Sequence, residues 1–210
     1  MTGLAVGLLV IVLAGIGALG WSIAQRRFDI ERWAAPGVLV GIALLAITLD
    51  AVWNGTRWWF VVAALVAAAA EALRVADRRI EARLVLLASA GLFALGFGLR
   101  EPSPIAAVIG MAVFVVVLLE LGRPLLVGVV EREPKALPAT GGLFGASGLL
   151  LVMAFSSGSI LGVLGAAAFI IAVLVAGYRW YVLDLPWMPV AGAVGQHAAI
   201  VLLVLSVIQP

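Results

Sequence analysis

Residues 3–24, GLAVGLLVIVLAGIGALGWSIA, run for about six turns of helix without one charged side chain. A bilayer core about 30 Å thick needs about 20 largely apolar residues at about 1.5 Å of rise each. A spanning strand would need only about 9 to 11 residues and would alternate apolar with polar, which this stretch does not do. It reads as a membrane-crossing helix. Working outward, seven further runs of the same kind occupy residues 36–53, 58–74, 84–99, 105–121, 138–156, 159–177 and 187–208. Of the 210 residues, 65% are hydrophobic and 11% charged, where soluble domains carry about a quarter charged residues. The sequence therefore predicts one all-α domain over residues 1–210, a polytopic transmembrane bundle of eight helices.

The loops carry the orientation signal. The first holds Arg26, Arg27 and Arg32, the third Arg74, Arg78, Arg79 and Arg83, the fifth Arg123, Arg132 and Lys135, and the seventh Arg179; only Arg57 and Arg100 fall on the other side. Basic residues collect on the cytoplasmic face, so the odd loops are expected inside and both termini outside, in a cell membrane of bacterial inner-membrane type. The first span lacks a basic residue before it and has Arg26 and Arg27 after it, so it is expected to stay as an anchor. The charge of +2 then reflects topology and headgroup contact rather than nucleic-acid binding, for which no basic face with interleaved aromatics exists outside the lipid. With no cysteine and one histidine, a zinc site of the usual kind is excluded. No metal or cofactor is implied.

Short loops predict that consecutive helices are antiparallel neighbours. In the longest connection, residues 122–138, the segment LLVGVV either lies on the membrane or extends the fifth helix; FSSGSI is the tightest turn. Glycines four apart, at 3 and 7, 37 and 41, 141 and 145, and 158 and 162, would allow close helix approach. The seven tryptophans fall near span ends, as an aromatic belt requires. The absence of a sequence repeat or broken helices disfavours a small-solute transporter.

Strongly polar side chains inside a bilayer are costly and mark functional positions by default. Five qualify: Asp50, Glu71, Glu120, Gln196 and His197. Glu71 sits in a run of alanines with Arg74 three residues on, and Glu120 has Arg123 at the same spacing, so both also read as helical ion pairs at the membrane boundary. His197 lies about ten residues, or about 15 Å, inside its helix and should face the interior. An imidazole N–H left unpaired in hydrocarbon costs several kcal/mol, within about 2 to 7. Nucleophile-elbow, phosphate-loop and dinucleotide fingerprints are absent.

The stretch LGAAAFIIAVLVAGYRWYVLDLPWMPVAGAVGQHAAIVLLV, residues 164–204, resembles the YhhN-type, lysoplasmalogenase-like membrane proteins. Gly165, Ala166 and Phe169 match the start of that family's G-A-x-x-F-x-x-S-D segment, and Gln196 or His197 matches the polar position of its last helix. Upstream, ERWAAPG is similar to its R-W and K-P-L segment without the lysine, and AAAAEALRV occupies the place of L-G-D with Glu71 at the aspartate. Ala172 and Val173 stand where the family has serine and aspartate. The resemblance implies an eight-helix fold and hydrolysis of the vinyl ether of a lysophospholipid to a fatty aldehyde and a glycerophospho-base. That chemistry needs a proton donor to carbon and a partner for the oxocarbenium ion and water, roles suited to two carboxyl groups in unlike surroundings. It makes Glu71, His197 and Glu120 the candidate catalytic groups, with Gln196, Arg74 and Arg123 contacting lipid. The alternative is a lipid-binding or structural protein that lost catalysis with the second carboxylate, and a transporter stands third. In each of the first two, membrane lipids are the partners; the oligomeric state is left open.

Overall fold

The computed structural model describes residues 2–209; Met1 and Pro210, whose outward position the loop charges predict, lie outside the described residues. Among the described residues there are nine α-helices and no strand. They are α1 (Gly3–Ala24), α2 (Phe28–Thr48), α3 (Asn54–Val75), α4 (Arg79–Gly98), α5 (Pro104–Val117), α6 (Arg123–Arg132), α7 (Leu137–Ser156), α8 (Ile160–Tyr181) and α9 (Met188–Leu205). A π-turn, Leu118–Gly122, joins α5 and α6 into one rod, so that eight helical units are long and apolar enough to cross a membrane. The all-α eight-span bundle read from the sequence is the fold.

Element ends follow local chemistry. Thr2 caps α1 by accepting from the Ala5 amide at 3.3 Å, and Ser159 caps α8 through the Gly162 amide at 3.1 Å. Asp77 turns the chain between α3 and α4 with φ 61°, a left-handed conformation that Asp tolerates better than most. Gly158, at φ 70°, does the same in FSSGSI, where glycine adopts it without strain.

Two features differ from the sequence reading, the start of α2 and the packing of α5, and the path of LLVGVV is decided between the two it left open. α2 begins at Phe28 and carries Pro36 inside it. The proline removes one helical bond, to the carbonyl of Arg32, and Arg32 is an exposed residue in the second turn of the helix, where water can satisfy that carbonyl. LLVGVV extends the fifth span as α6 rather than lying flat. Pro124, in the first turn of α6, cannot donate a bond backward, and the wider π register just before it absorbs the misfit. Finally, α5 packs mainly on α7 and not on its sequence neighbour α4.

Helices α2, α3, α4, α7, α8 and α9 close into a ring in that order, with α1 laid against α2 and α9, and α5 against α7. The α5–α6 rod is the least buried of the spans, as a helix facing lipid should be. Lipid gives helices no hydrophobic drive to associate, so close packing and interhelical hydrogen bonds hold the ring. Phe60, Phe93 and Phe97 meet edge to face with centroids 5.0 Å apart between α3 and α4. Ser89 donates to the Ala63 carbonyl at 2.8 Å and Thr56 to that of Gly96 at 2.9 Å. The glycines that admit a neighbouring backbone are not the spaced pairs: Gly3, Gly7, Gly37 and Gly145 face open space, whereas a Cβ on Gly165 would stand 2.8 Å from the Leu203 amide. Six of the tryptophans, all but Trp53, are exposed near helix ends.

Candidate functional site

Glu71 is the buried carboxylate of the bundle, 4% exposed on the inner face of α3. Its Oε2 accepts from Arg74 Nε at 2.7 Å and its Oε1 from Gln196 Nε2, on α9, at 3.1 Å. The Arg74 guanidinium reaches on with Nη2 to Glu31 Oε1 of α2 at 3.0 Å. One arginine thus clamps two carboxylates, and three helices meet at the clamp. Arginine suits this role because its fork presents several donors in a fixed plane. The cluster lies at the end of the bundle where the basic loops are.

His197 is fully buried but turns away from this cluster. Its Nδ1 lies 2.8 Å from the Ala193 carbonyl, one turn back in α9, and its Nε2 lies 2.9 Å from the Ala35 carbonyl of α2. Each neutral tautomer can donate to one of those oxygens, and the imidazolium to both. The ring therefore ties α9 to α2, and Gln196 is the member of the pair that meets Glu71. Ala172 and Val173 are buried in α8, with the Ala172 methyl 3.6 Å from where a Cβ on Gly195 would be. These two positions of α8 thus border the same turn of α9.

The remaining candidates lie apart. Glu120 sits in the π-turn on the exposed face of the α5–α6 rod, and no ion pair joins it to Arg123. Arg123 lines a groove of about 520 Å³ formed by α6 and the end of α8, with Leu119, Val127 and Val182 among its walls. Asp50 is exposed beyond the other end of α2, and the nearby Arg57 donates to the Leu49 carbonyl at 3.3 Å.

A second polar cluster at the basic end is not visible as a sequence motif. Arg83 of α4 donates to Thr140 Oγ1 of α7 at 3.0 Å and to the Tyr181 hydroxyl of α8. Tyr181 in turn donates to Glu133 Oε2 at 2.7 Å. Arg79 lies with its guanidinium carbon 4.0 Å from the centroid of Trp180. Between them is a cleft of about 400 Å³ whose walls also include Arg132. Sequence reasoning passed over Glu31, which reads as one more charge in a basic loop and lies 43 residues from the arginine it meets. The one available signal for the second cluster was that both tyrosines of the chain, Tyr178 and Tyr181, fall in one short segment.

In comparisons with known protein families, with characterised proteins and with solved structures, nothing matches the chain.

Proposed function

We propose that the protein is a YhhN-type integral membrane protein that binds a lysophospholipid at the cytoplasmic end of its bundle without cleaving it. The observation that carries this reading is the state of Glu71: both of its oxygens accept hydrogen bonds, from Arg74 and from Gln196. Both oxygens are thus engaged inside the bundle, on a side chain with almost no exposed surface, so a vinyl carbon has no open approach to the carboxyl. Val173 supplies no second carboxyl at the adjoining position of α8, and the two ring nitrogens of His197 face the backbone carbonyls of Ala193 and Ala35 rather than Glu71. The polar cluster then serves as a clamp that fixes α2, α3 and α9, and the lipid contacts belong to the open surfaces at the same end.

Retained hydrolysis is the second reading, and Glu31 is what favours it. This residue places a second carboxylate on Arg74 at 3.0 Å, so the acid and the base of vinyl-ether cleavage would be Glu71 and Glu31, and water would add to the oxocarbenium ion to release aldehyde and the glycerophospho-base. Purified protein incubated with an alkenyl lysophospholipid separates the two. The non-cleaving reading expects bound lipid and no aldehyde above a protein-free control. Aldehyde release that disappears in both Glu71→Gln and Glu31→Gln would establish the hydrolase instead. The cell-membrane location with both termini outside is part of the proposal; a fusion of a cytoplasm-only reporter after Pro210 should stay dark.

A further inference from the structure

We infer that the cleft between α4, α6 and α8 holds the phosphate of an anionic phospholipid, whose acyl chain lies in the adjoining groove along α6. This rests on the lipid-binding reading and adds the headgroup class and the place. Three guanidinium groups, Arg79, Arg83 and Arg132, wall the cleft against one carboxylate, Glu133. Basic pockets between spanning helices on the cytoplasmic side are suited to anionic headgroups. These side chains are also held in place, unlike those of a loose basic loop. Arg79 is stacked on Trp180 at 4.0 Å and tied to Asp77 at 2.8 Å. Arg83 is held by Thr140 and Tyr181 and lies over the Tyr181 ring at 5.0 Å. A guanidinium ordered beforehand gives up less entropy when it meets an anion. Arg132 is the least committed of the three: its contacts are long, 3.5 Å to the Trp180 carbonyl and 3.4 Å to that of Val182, so most of its donors can turn to a phosphate.

Next to this polar cleft runs the groove of about 520 Å³, which shares Arg132 and Tyr181 with it. Its other walls carry Arg123 and Glu131, which are opposite in charge, and are otherwise apolar, with Leu119 and Val127 61% and 49% exposed. Gly128 lies directly against the Tyr181 backbone, so the ends of α6 and α8 touch and the two depressions share their rims. A polar end rich in positive charge passing into an apolar trough on the lipid-facing rod matches an amphiphile with a negative head. A zwitterionic headgroup would bring its own cation toward the three arginines.

Native mass spectrometry of the purified protein in an equimolar mixture of the lyso forms of phosphatidylglycerol and phosphatidylcholine, each with one acyl chain, reads the preference directly. We expect lysophosphatidylglycerol to be retained at least about tenfold over lysophosphatidylcholine, given the gain from each basic residue near an anionic headgroup. The double variant Arg79→Gln/Arg132→Gln should lose that preference, while Arg26→Gln/Arg27→Gln, on the same end of the bundle and outside the cleft, should keep it. Equal retention of the two lipids, or a preference that survives the first double variant, overturns the site while leaving lipid binding intact. A preference lost equally in both double variants means that general surface charge is responsible, and also overturns it. If neither lipid is retained, the lipid-binding reading fails together with this one. Displacement of lysophosphatidylglycerol by millimolar inorganic phosphate would make the cleft a free-phosphate site, against the expectation that the groove's hold on the chain keeps the lipid bound.

Discussion

Replacing His197 by leucine tests whether the single histidine is a structural tie. The ring is fully buried, so the replacement must fill the same space, and leucine is close in volume to histidine; a cavity term is therefore small. What is lost is the interhelical bond to the Ala35 carbonyl at 2.9 Å. That oxygen sits in a helix and keeps its own backbone donor, so no buried donor is stranded. Interhelical side-chain hydrogen bonds in membranes average about 0.6 kcal/mol and reach about 2. The contact with Ala193 at 2.8 Å is within one helix and adds little to the tie between helices. The expected destabilisation is thus about 1 kcal/mol, or about 2–4 °C in Tm for a chain of this size. His197→Ala removes the packing as well and should cost about 2–4 kcal/mol. Thermal unfolding of the purified variants, followed by retention of helical signal in detergent, measures both. The structural role is refuted if leucine is as damaging as alanine. It is refuted equally if leucine leaves stability unchanged but abolishes a lipid-dependent activity, since that would put the imidazole in the chemistry.

Three further outcomes follow from the same contacts. Gly165→Ala should destabilise by about 1–3 kcal/mol, because its Cβ would meet the Leu203 amide at 2.8 Å and the Ala199 carbonyl at 3.1 Å, whereas Gly145→Ala, facing open space, should be neutral or mildly stabilising; equal thermal shifts would contradict the packing. Arg74→Leu strands Glu71 beside Glu31 and should cost about 3 kcal/mol, near the lower end for a broken buried pair because the Arg74 side chain is 39% exposed, while Glu71→Gln, which still accepts from Arg74, should cost about 1; the reverse order in an unfolding assay would refute the clamp. At the opposite end, Arg100 is buried beside Phe97; Nη2 donates to the Ser206 carbonyl at 3.0 Å, Nε and Nη1 have no hydrogen-bond partner among the described residues, and burial pushes its pKa down to about 10. The folded protein sheds that proton before the unfolded chain does, so stability should be flat below about pH 10 and rise above it. Arg100→Met should therefore be more stable than the natural protein at pH 8, with the gap closing as pH passes 10.

Much of the fold is written along the chain. Eight apolar runs, the arginines of alternate loops and the tryptophans at span ends are one-dimensional signals, because the bilayer imposes the same length and polarity on every helix whatever its neighbours. Glu71 and His197 were legible for the same reason, since a strongly polar side chain in such a run must be buried against something. What each of them meets was decided by the tertiary structure. His197 and Gln196 are adjacent, and only the rotation of α9 within the ring gives the imidazole to Ala35 and the amide to Glu71. Glu31 joins the cluster because α2 starts at Phe28 and continues through Pro36, which carries a residue that looked like loop down to Arg74. Glu120, identical in spacing to Glu71 relative to its arginine, ended on the exposed rod because α5 packs mainly on α7 and turns its other faces outward. Spacing along one helix fixes which residues share a face; which way that face points depends on helices far away in sequence, through packing energies that no local pattern contains.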